Sequence, residues 1–332
     1  MNNRIAAISL WSFLPLLAVG WSATASAQPD GAPPPLGAAE VRAMFEELSN
    51  WGRWGDDDQR GTLNLITPAK RRQAAALVRE GISVSLSQNL STEQAVDNTR
   101  PMELIMTAQP GGPVAMDEWR IFYHGLTYAH MDALCHARFE GKAYNGFDAG
   151  DASDSGCASS GIENLKDGVL SRGILIDVPR LKGVDYLAPG TPVLASDIEA
   201  WEREAGVRIE SGDVVLIRTG RWGRRAATGP FSLQGGSPGV HVSALPLLRE
   251  RDAAVLATDV GLDVVPAGVE GVVIPTHTVA IASIGLLIID NADFEALADT
   301  AARLERWEFM FSVAPIPVTG ATGSVVNAIA TF

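Results

Sequence analysis

The amino-acid sequence predicts a mixed α/β fold, and three observations support this class. Short runs rich in Val, Ile and Leu, bounded by Gly, Pro or Asp, alternate with segments of helical periodicity. Several of these runs are continuously apolar, which is typical of strands that are covered on both faces. The chain has 332 residues, of which 46% are hydrophobic, so it can bury a large core. We expect a single domain with a mixed sheet and flanking helices, because neither an internal repeat nor a second domain boundary is visible.

The strand-like and helical segments follow one another along most of the chain. The predicted strands cover residues 82–87, 119–125, 173–178, 213–220, 254–260 and 285–290. The predicted helices cover residues 41–48, 68–80, 196–206, 242–252 and 292–304.

The amino-terminal residues predict export to the periplasm or secretion. Arg4 supplies a positive charge, an apolar run extends from Ile5 to Trp21, and Ala25-Ser26-Ala27 offers a cleavage site. This order is typical of a secretory signal peptide. The alternative is an uncleaved membrane anchor, for which the apolar run is short. The predicted organisation is a signal peptide over residues 1–27, a flexible Pro/Gly-rich leader over 28–40 and the domain over 41–332.

Charge and cysteine content limit the partners and the covalent chemistry. The net charge of −13 argues against nucleic acid and anionic membranes as partners and is compatible with a small-molecule substrate. The two cysteines are Cys135 and Cys157. An oxidising compartment permits a disulfide between them, but a chain of this size does not need one. Because Cys135 could equally be a free thiol or a weak metal ligand, we do not predict a bond.

The stretch HGLTYAHMDALCH, residues 124–136, contains three of the five histidines and one aspartate. Side chains alternate along a strand, so His130 and Asp132 point the same way and can meet one cation. Neutral imidazole together with carboxylate suits Zn²⁺ or Mn²⁺. His124 lies on the same face but roughly 20 Å away by strand rise unless the chain bends, and His136 needs a turn to reach the same place. The alternative is a set of hydrogen-bonded histidines at a strand end.

Further ligands and substrate contacts must come from elsewhere in the chain. His277 is the best distant candidate, and Asp290 ends a buried strand, where sites in α/β proteins tend to lie. Asp290 could instead only cap the following helix. Trp51 and Trp54 offer flat surfaces for a cyclic or aromatic substrate, and Arg53 could hold a carboxylate. The alternatives are core packing for the tryptophans and a surface ion pair for Arg53.

Five blocks of sequence occur in order: H-x-D-A-x-x-H, SRGILIDV, GDVVLIRTG, PTHTVAI and IIDNADFEAL. Together they resemble the metal-dependent cyclase family, which includes bacterial kynurenine formamidase, isatin hydrolase and a zinc-dependent trans-dienelactone hydrolase. The resemblance covers about residues 45–315. It implies a swivelling β/β/α fold, assembly as a homodimer or homotetramer, and one or two Zn²⁺ or Mn²⁺ ions.

The family signature, H-x-G-T-H-x-D-x-P-x-H, implies roles for individual residues. Laid on this chain, it implies that His130 and Asp132 are metal ligands and that His136 is catalytic. A later His and a later acid complete the site in the family, and these would be His277 and Asp290.

Two departures from the family pattern affect the expected metal content. The first His of the signature falls at Leu126, which cannot bind a metal, and the later acid is usually Glu, one methylene longer than Asp290. His124 lies two residues before Leu126, and a local bulge could bring it in as a ligand. We therefore expect one ion rather than two.

The resemblance implies hydrolysis of a formamide, a cyclic amide or a lactone, with metal-activated water and His136 as general base. Kynurenine formamidase is usually cytoplasmic, so the signal peptide favours a different, external compound as substrate. The alternatives are a metal- or ligand-binding member without turnover and a metal-dependent lyase or dehydratase.

Overall fold

The computed structural model of the protein describes residues 36–108, 110–148, 155–233 and 235–332. The predicted signal peptide lies outside the described residues, as does the predicted leader up to residue 35. The helix expected from Val41 begins at Ala38 and follows a two-residue strand, so regular structure starts before the predicted domain boundary.

Strands and helices alternate along the described residues. The strands are β1 (Leu36–Gly37), β2 (Ser83–Ser85), β3 (Glu103–Met106), β4 (Asp117–Arg120), β5 (His130–Asp132), β6 (Val169–Asp177), β7 (Pro192–Val193), β8 (Val214–Arg218), β9 (Gly239–Val240), β10 (Val255–Thr258), β11 (Val269–Glu270), β12 (Leu287–Asp290), β13 (Glu308–Val313), β14 (Gly323–Val325) and β15 (Ile329–Thr331). The α-helices are α1 (Ala38–Glu47), α2 (Pro68–Ala75), α3 (Val178–Lys182), α4 (Ala195–Ala205), α5 (Arg221–Thr228), α6 (Leu245–Glu250), α7 (Pro275–His277) and α8 (Glu295–Leu304). A π-helical segment, Thr278–Ile284, continues from α7.

Nine strands form one mixed sheet in the order β14-β5-β12-β10-β8-β6-β13-β15-β2. The four central strands, β12, β10, β8 and β6, are parallel to one another. The strands on both sides of them are antiparallel to their neighbours. Three further pairs, β1 with β11, β3 with β4 and β7 with β9, lie outside this sheet. The mixed sheet with its helices confirms the predicted fold class.

The centre of the sheet is buried on both faces, in agreement with the continuously apolar segments. Every residue of β10 and β12 is buried. Helix α4 covers β6 with Trp201, whose indole N–H donates to the carbonyl of Leu175 at 2.7 Å. Burial of a side chain of this kind stabilises the fold by about 1.5–3 kcal/mol. The parallel strands therefore form a rigid platform whose carboxyl ends lie at one edge.

The strand predicted over residues 119–125 is wrong in its second half. β4 ends at Arg120 and pairs only with β3, in a hairpin outside the main sheet. Residues 121–129 then form a turn without strand pairing. Contacts distant in sequence hold this turn; for example, Asn291 Nδ2 donates to the carbonyl of Gly125 at 2.7 Å. Local periodicity does not reveal such contacts.

None of the helices in the described part of the chain is both long and apolar enough to cross a membrane.

Cys135 and Cys157 form a disulfide, which the sequence did not lead us to predict. The two residues are 22 positions apart, and their Cα atoms lie 6.5 Å from each other. Backbone hydrogen bonds bring them together, because the N–H of Cys135 donates to Ser160 and that of Cys157 donates to Gly320. The bond fixes the residue next to His136, and an oxidising compartment, which the signal peptide predicts, would allow it to form.

We expect the double substitution Cys135→Ser/Cys157→Ser to lower the free energy of unfolding by about 3 kcal/mol, because an open loop of this length gains entropy in the unfolded chain. Denaturant unfolding of the oxidised protein and of the variant measures the difference. Equal stability of the two proteins would contradict the expectation, and wild-type protein under reducing conditions should match the variant.

Candidate metal centre

One buried carboxylate, that of Asp132, is surrounded by four imidazole rings. Asp132 is 1% exposed. Its Oδ1 lies 3.3 Å from Nδ1 of His124 and 3.6 Å from Nε2 of His130. Its Oδ2 lies 3.8 Å from Nε2 of His277 and 3.9 Å from Nε2 of His136. The structure thus brings together all four histidines that the sequence singled out.

The main sheet fixes the positions of His130 and Asp132. Both lie on β5, where His130 pairs with Asp290, the last residue of β12, and Asp132 pairs with Gly323 of β14. A Cβ atom at Gly323 would lie 3.1 Å from Cε1 of His124. Because glycine has no Cβ atom, this position leaves enough space for the His124 ring to pack beside β5.

Two of the rings are oriented by hydrogen bonds on the side that faces away from Asp132. Nδ1 of His130 lies 2.8 Å from the carbonyl oxygen of Tyr128. A carbonyl only accepts, so Nδ1 carries the proton and Nε2 presents a free lone pair. Nε2 of His124 lies 2.8 Å from Oγ1 of Thr322, which leaves Nδ1 facing Asp132. Outer hydrogen bonds of this kind orient imidazoles as metal ligands.

Asp263 orients the third ring. Nδ1 of His277 donates to Oδ2 of Asp263 at 2.5 Å, and the backbone N–H groups of Thr276 and His277 donate to the same carboxylate. Nε2 of His277 then faces Oδ2 of Asp290 at 3.2 Å. Burial acts to lower the pKa of His277, but Asp290 and Asp263 raise this pKa well above its usual value.

Within the described residues, neither oxygen of Asp132 has a hydrogen-bond partner, and neither has Nδ1 of His124. The contact between these two side chains lacks hydrogen-bond geometry, so we take it to act through charge. Burial acts to raise the pKa of Asp132, but the interaction with His124 and the charges of the other histidines outweigh it, and the pKa lies below its usual range. An ionised, buried carboxylate without a donor is costly, and a cation offsets this cost.

The donor atoms are spaced as the ligands of a metal ion would be. Two groups share Asp132, and in each group the donor atoms lie within 4.8 Å of one another. The first group is His124, His130 and Asp132, and the second is Asp132, His277 and Asp290. Two ligands of one tetrahedral Zn²⁺ are about 3.4 Å apart, and the contacts above range from 3.2 to 3.8 Å. The residues therefore fit a divalent cation that accepts imidazole and carboxylate ligands.

His124 approaches Asp132 through the turn at residues 121–129. The separation of roughly 20 Å that an unbent strand would give does not arise, because the chain leaves the strand after Arg120 and folds back. No bulge in a strand is involved. The turn places the His124 ring parallel to that of His136, with the ring centroids 4.2 Å apart.

Arg221 and Asn291 hold this turn in place. The buried Arg221 donates from Nη1 to Oδ1 of Asn291 at 2.6 Å and from Nη2 to the carbonyl of Leu126. Asn291 donates from Nδ2 to the carbonyl of Gly125. Two adjacent carbonyls of the turn are thus bound by one polar pair, which we call the Arg221–Asn291 clamp.

His136 stands beside the centre and reaches its open side. Its side chain is 30% exposed, the largest exposed fraction among the four histidines. Burial lowers the pKa of His136, and the attraction of Asp132 opposes this effect only in part. The imidazole is therefore neutral near pH 7 and able to accept a proton.

Leu126, which stands where the family signature has its first His, lies at the edge of the centre. A Cβ atom at Gly261 would lie 2.9 Å from Cδ2 of Leu126 and 3.8 Å from Oδ2 of Asp290. Leu126 therefore forms an apolar wall near the second group of donors, whereas His124 joins the first.

The structure does not bring the predicted substrate-binding residues Trp51, Arg53 and Trp54 to the centre. The indole of Trp51 donates to the carbonyl of Ala282 at 2.7 Å. Arg53 binds both oxygens of Asp252, at 2.7 and 2.8 Å, and its guanidinium lies 4.8 Å from the ring of Trp54. Asp252 and Ala282 precede β10 and β12, so these contacts lie at the amino ends of the strands whose carboxyl ends border the centre.

Three positioning residues, Asp263, Arg221 and Asn291, were not predicted from the sequence. Asp263 is a lone acid in the apolar stretch VGLDVV, and Asn291 directly follows a predicted ligand. Both signals are weak, because each residue acts through a partner that is distant in sequence.

Solved structures similar to this chain share its fold. A crystal structure of a novel cyclase has 29% sequence identity and a TM-score of 0.77, and the match covers 87% of this chain and 99% of that one. Isatin hydrolase A from Labrenzia aggregata bound to benzyl benzoate has 19% identity and a TM-score of 0.54, with 77% and 94% covered. An isatin hydrolase bound to the product analogue thioisatinate has 21% identity and a TM-score of 0.54, with 77% and 93% covered. Comparison with curated protein sequences gave no match.

A family model also matches the sequence directly. Residues 73–263 match the model of the Cyclase family, which is more than half of the chain. The matched segment includes the first group of donors and His136, while His277 and Asp290 come after it in the sequence. This chain belongs to the Cyclase family.

Proposed function

We propose that the protein is a metal-dependent hydrolase that cleaves an amide, formamide or lactone bond in a small cyclic or aromatic substrate. The cation is Zn²⁺ or Mn²⁺, held by the two groups of donors that share Asp132. The observation that carries the proposal is the buried Asp132 carboxylate, whose oxygens have no hydrogen-bond donor among the described residues and are faced by imidazole nitrogens. The similarity of the fold to isatin hydrolases supports it.

The chain's own residues supply the proton transfers. A divalent cation at Asp132 supplies a Lewis acid that polarises a carbonyl and lowers the pKa of water. His136 has its Nε2 3.9 Å from Oδ2 of Asp132, and stacking on His124 fixes the plane of its ring. Neutral His136 accepts a proton from the attacking water at Nε2 and returns it to the leaving nitrogen or oxygen.

The hydrolase is tested with metal-replete protein and three substrates: an N-formyl aromatic amine, isatin and a dienelactone. We expect turnover of at least one, with a metal content near one or two ions per chain. His136→Gln keeps a similar volume but removes the basic nitrogen, so kcat should fall by about 10²- to 10⁴-fold, while the metal content stays unchanged.

Incorporation of oxygen from ¹⁸O-labelled water separates hydrolysis from elimination. Product that carries the label supports the hydrolase, whereas unlabelled product indicates a lyase. Folded protein that binds no metal, or full activity of His136→Gln, would refute the proposal.

We expect Zn²⁺ affinity to depend on pH even above the ordinary pKa of histidine. Zn²⁺ competes with the proton on His277, and the raised pKa of this ring extends the competition toward higher pH. Apparent affinity should fall about tenfold per pH unit below that pKa. Asp132 adds nothing to this slope, because its lowered pKa keeps it ionised. Chelator competition between about pH 6 and pH 9 measures the dependence.

Asp263→Asn provides the comparison for this experiment. Removal of the Asp263 charge lowers the pKa of His277, so the onset of the pH dependence should move to lower pH. The same onset in both proteins, or an affinity that is constant above pH 7, would show that His277 does not bind the ion.

We expect Asn291→Gly to weaken Zn²⁺ binding by about 10- to 100-fold, the usual effect of removing a group that supports a ligand. Glycine suits this position because Asn291 has a φ of 56°. The substitution removes the hydrogen bonds of the Asn291 side chain with Arg221 and with the carbonyl of Gly125, and so loosens the turn that carries His124. Isothermal titration with Zn²⁺ measures the loss, and Asn89→Gly, at an exposed site, is the matched control. Unchanged affinity in Asn291→Gly would mean that His124 does not depend on the clamp.

A further inference from the structure

A cavity of about 350 Å³ adjoins the metal centre. His124 and Leu126 are among its lining residues, so the cavity borders the first group of donors at His124 and the apolar wall at Leu126. Phe122 and Arg100 also line it, together with the apolar side chain of Leu233. A space of this volume holds a small aromatic compound.

Of the two charged side chains that line the cavity, the acidic one is paired and the basic one is not paired with any described residue. Asp97 is the only carboxylate among its described lining residues, and it is bound by Arg225 with an Nε to Oδ2 distance of 2.5 Å. Arg100 forms no ion pair or hydrogen bond with any described residue; its contact is with the ring of Phe122. The cavity therefore has a cationic side chain whose charge is not neutralised by any residue that the structure describes.

The position of the Arg100 guanidinium leaves it able to bind an anion. Its carbon lies 3.6 Å from the centroid of the Phe122 ring. When a guanidinium stacks on an aromatic ring, the flat face of the guanidinium contacts the ring. The N–H groups at the edges of the guanidinium stay available for a carboxylate. The same ring offers an aromatic surface to a ligand in the cavity.

The segment that carries Arg100 is anchored on both sides. The backbone of Asn98 is paired with Ala95, and the buried Asn98 side chain donates to the carbonyls of Ser91 and Glu93. After Arg100, the N–H of Met102 donates to the hydroxyl of Tyr128 at 2.8 Å. Tyr128 is also the residue whose carbonyl orients His130. One buried residue, Tyr128, therefore contacts both the segment, through its hydroxyl, and His130 of the metal centre, through its backbone carbonyl.

We propose that Arg100 and Phe122 form a subsite for the carboxylate of an aromatic substrate whose scissile carbonyl lies at the metal centre. This inference rests on the proposed function, because the centre defines the other end of the ligand. It narrows the substrate class to small aromatic or cyclic amides, formamides or lactones that carry an additional carboxylate.

The test uses the Zn²⁺-loaded full chain and probes that are anchored at the metal. Benzohydroxamates with a carboxylate at position 3 or 4 are compared with their uncharged carboxamide counterparts by isothermal titration. For at least one isomer we expect the carboxylate to bind about tenfold or more tightly than the carboxamide. Arg100→Gln should remove this preference without changing the Kd of the carboxamide, and Arg100→Lys should retain part of it. Arg203→Gln, on the exposed side of α4, is the matched control for the loss of one charge and should behave like wild type.

Two outcomes would overturn the subsite: no preference for the carboxylate in wild type with either isomer, or a preference that persists in Arg100→Gln. Failure of the proposed function is seen separately. If the uncharged hydroxamate binds equally well with and without Zn²⁺, the assignment of the metal centre is wrong, independently of the result for Arg100.

Discussion

The buried charge of Asp132 is the constraint on which the rest of the site depends. A carboxylate with so little exposure, and with no hydrogen-bond donor in the part of the chain that the structure describes, is tolerated only where positive charge surrounds it. His130 and His277 each have their outer nitrogen bound to an oxygen, which aims the inner nitrogen at the space around Asp132. The hydrogen bonds outside the centre therefore explain its geometry as much as the ligands do.

The fold supplies these orientations from elements that are far apart in sequence. β5 lies antiparallel to β12, so His130 faces Asp290 across one pair of strands. Asp263 follows β10 and both caps α7 and orients His277. The parallel strands are buried on both faces and cannot shift independently, which keeps the donors in register. A site assembled at the carboxyl ends of such strands is typical of α/β proteins.

Local patterns in the sequence were enough to predict the placement of some of these side chains but not of others. Alternation along a strand places His130 and Asp132 on one face, and β5 has this arrangement. The position of His124 could not be predicted, because its turn is held by the Arg221–Asn291 clamp. The disulfide depends on loop contacts of the same kind. The flat side chain of Trp51 suggested a contact with the substrate, which stays a prediction, but a local pattern does not indicate at which end of a sheet a side chain lies.

Leu126 stands where the family signature has a His ligand, and this difference also affects the space beside the centre. Leu126 lines the cavity, and His124, two residues earlier, provides the imidazole from the opposite part of the turn. The chain as a whole has a net charge of −13 and repels anions at long range. Such repulsion is screened beyond about 8–10 Å at physiological salt, so a carboxylate in the cavity is governed by Arg100 and by the cation. Under the proposed function, the local charge rather than the overall charge decides which substrates this Cyclase-family protein binds.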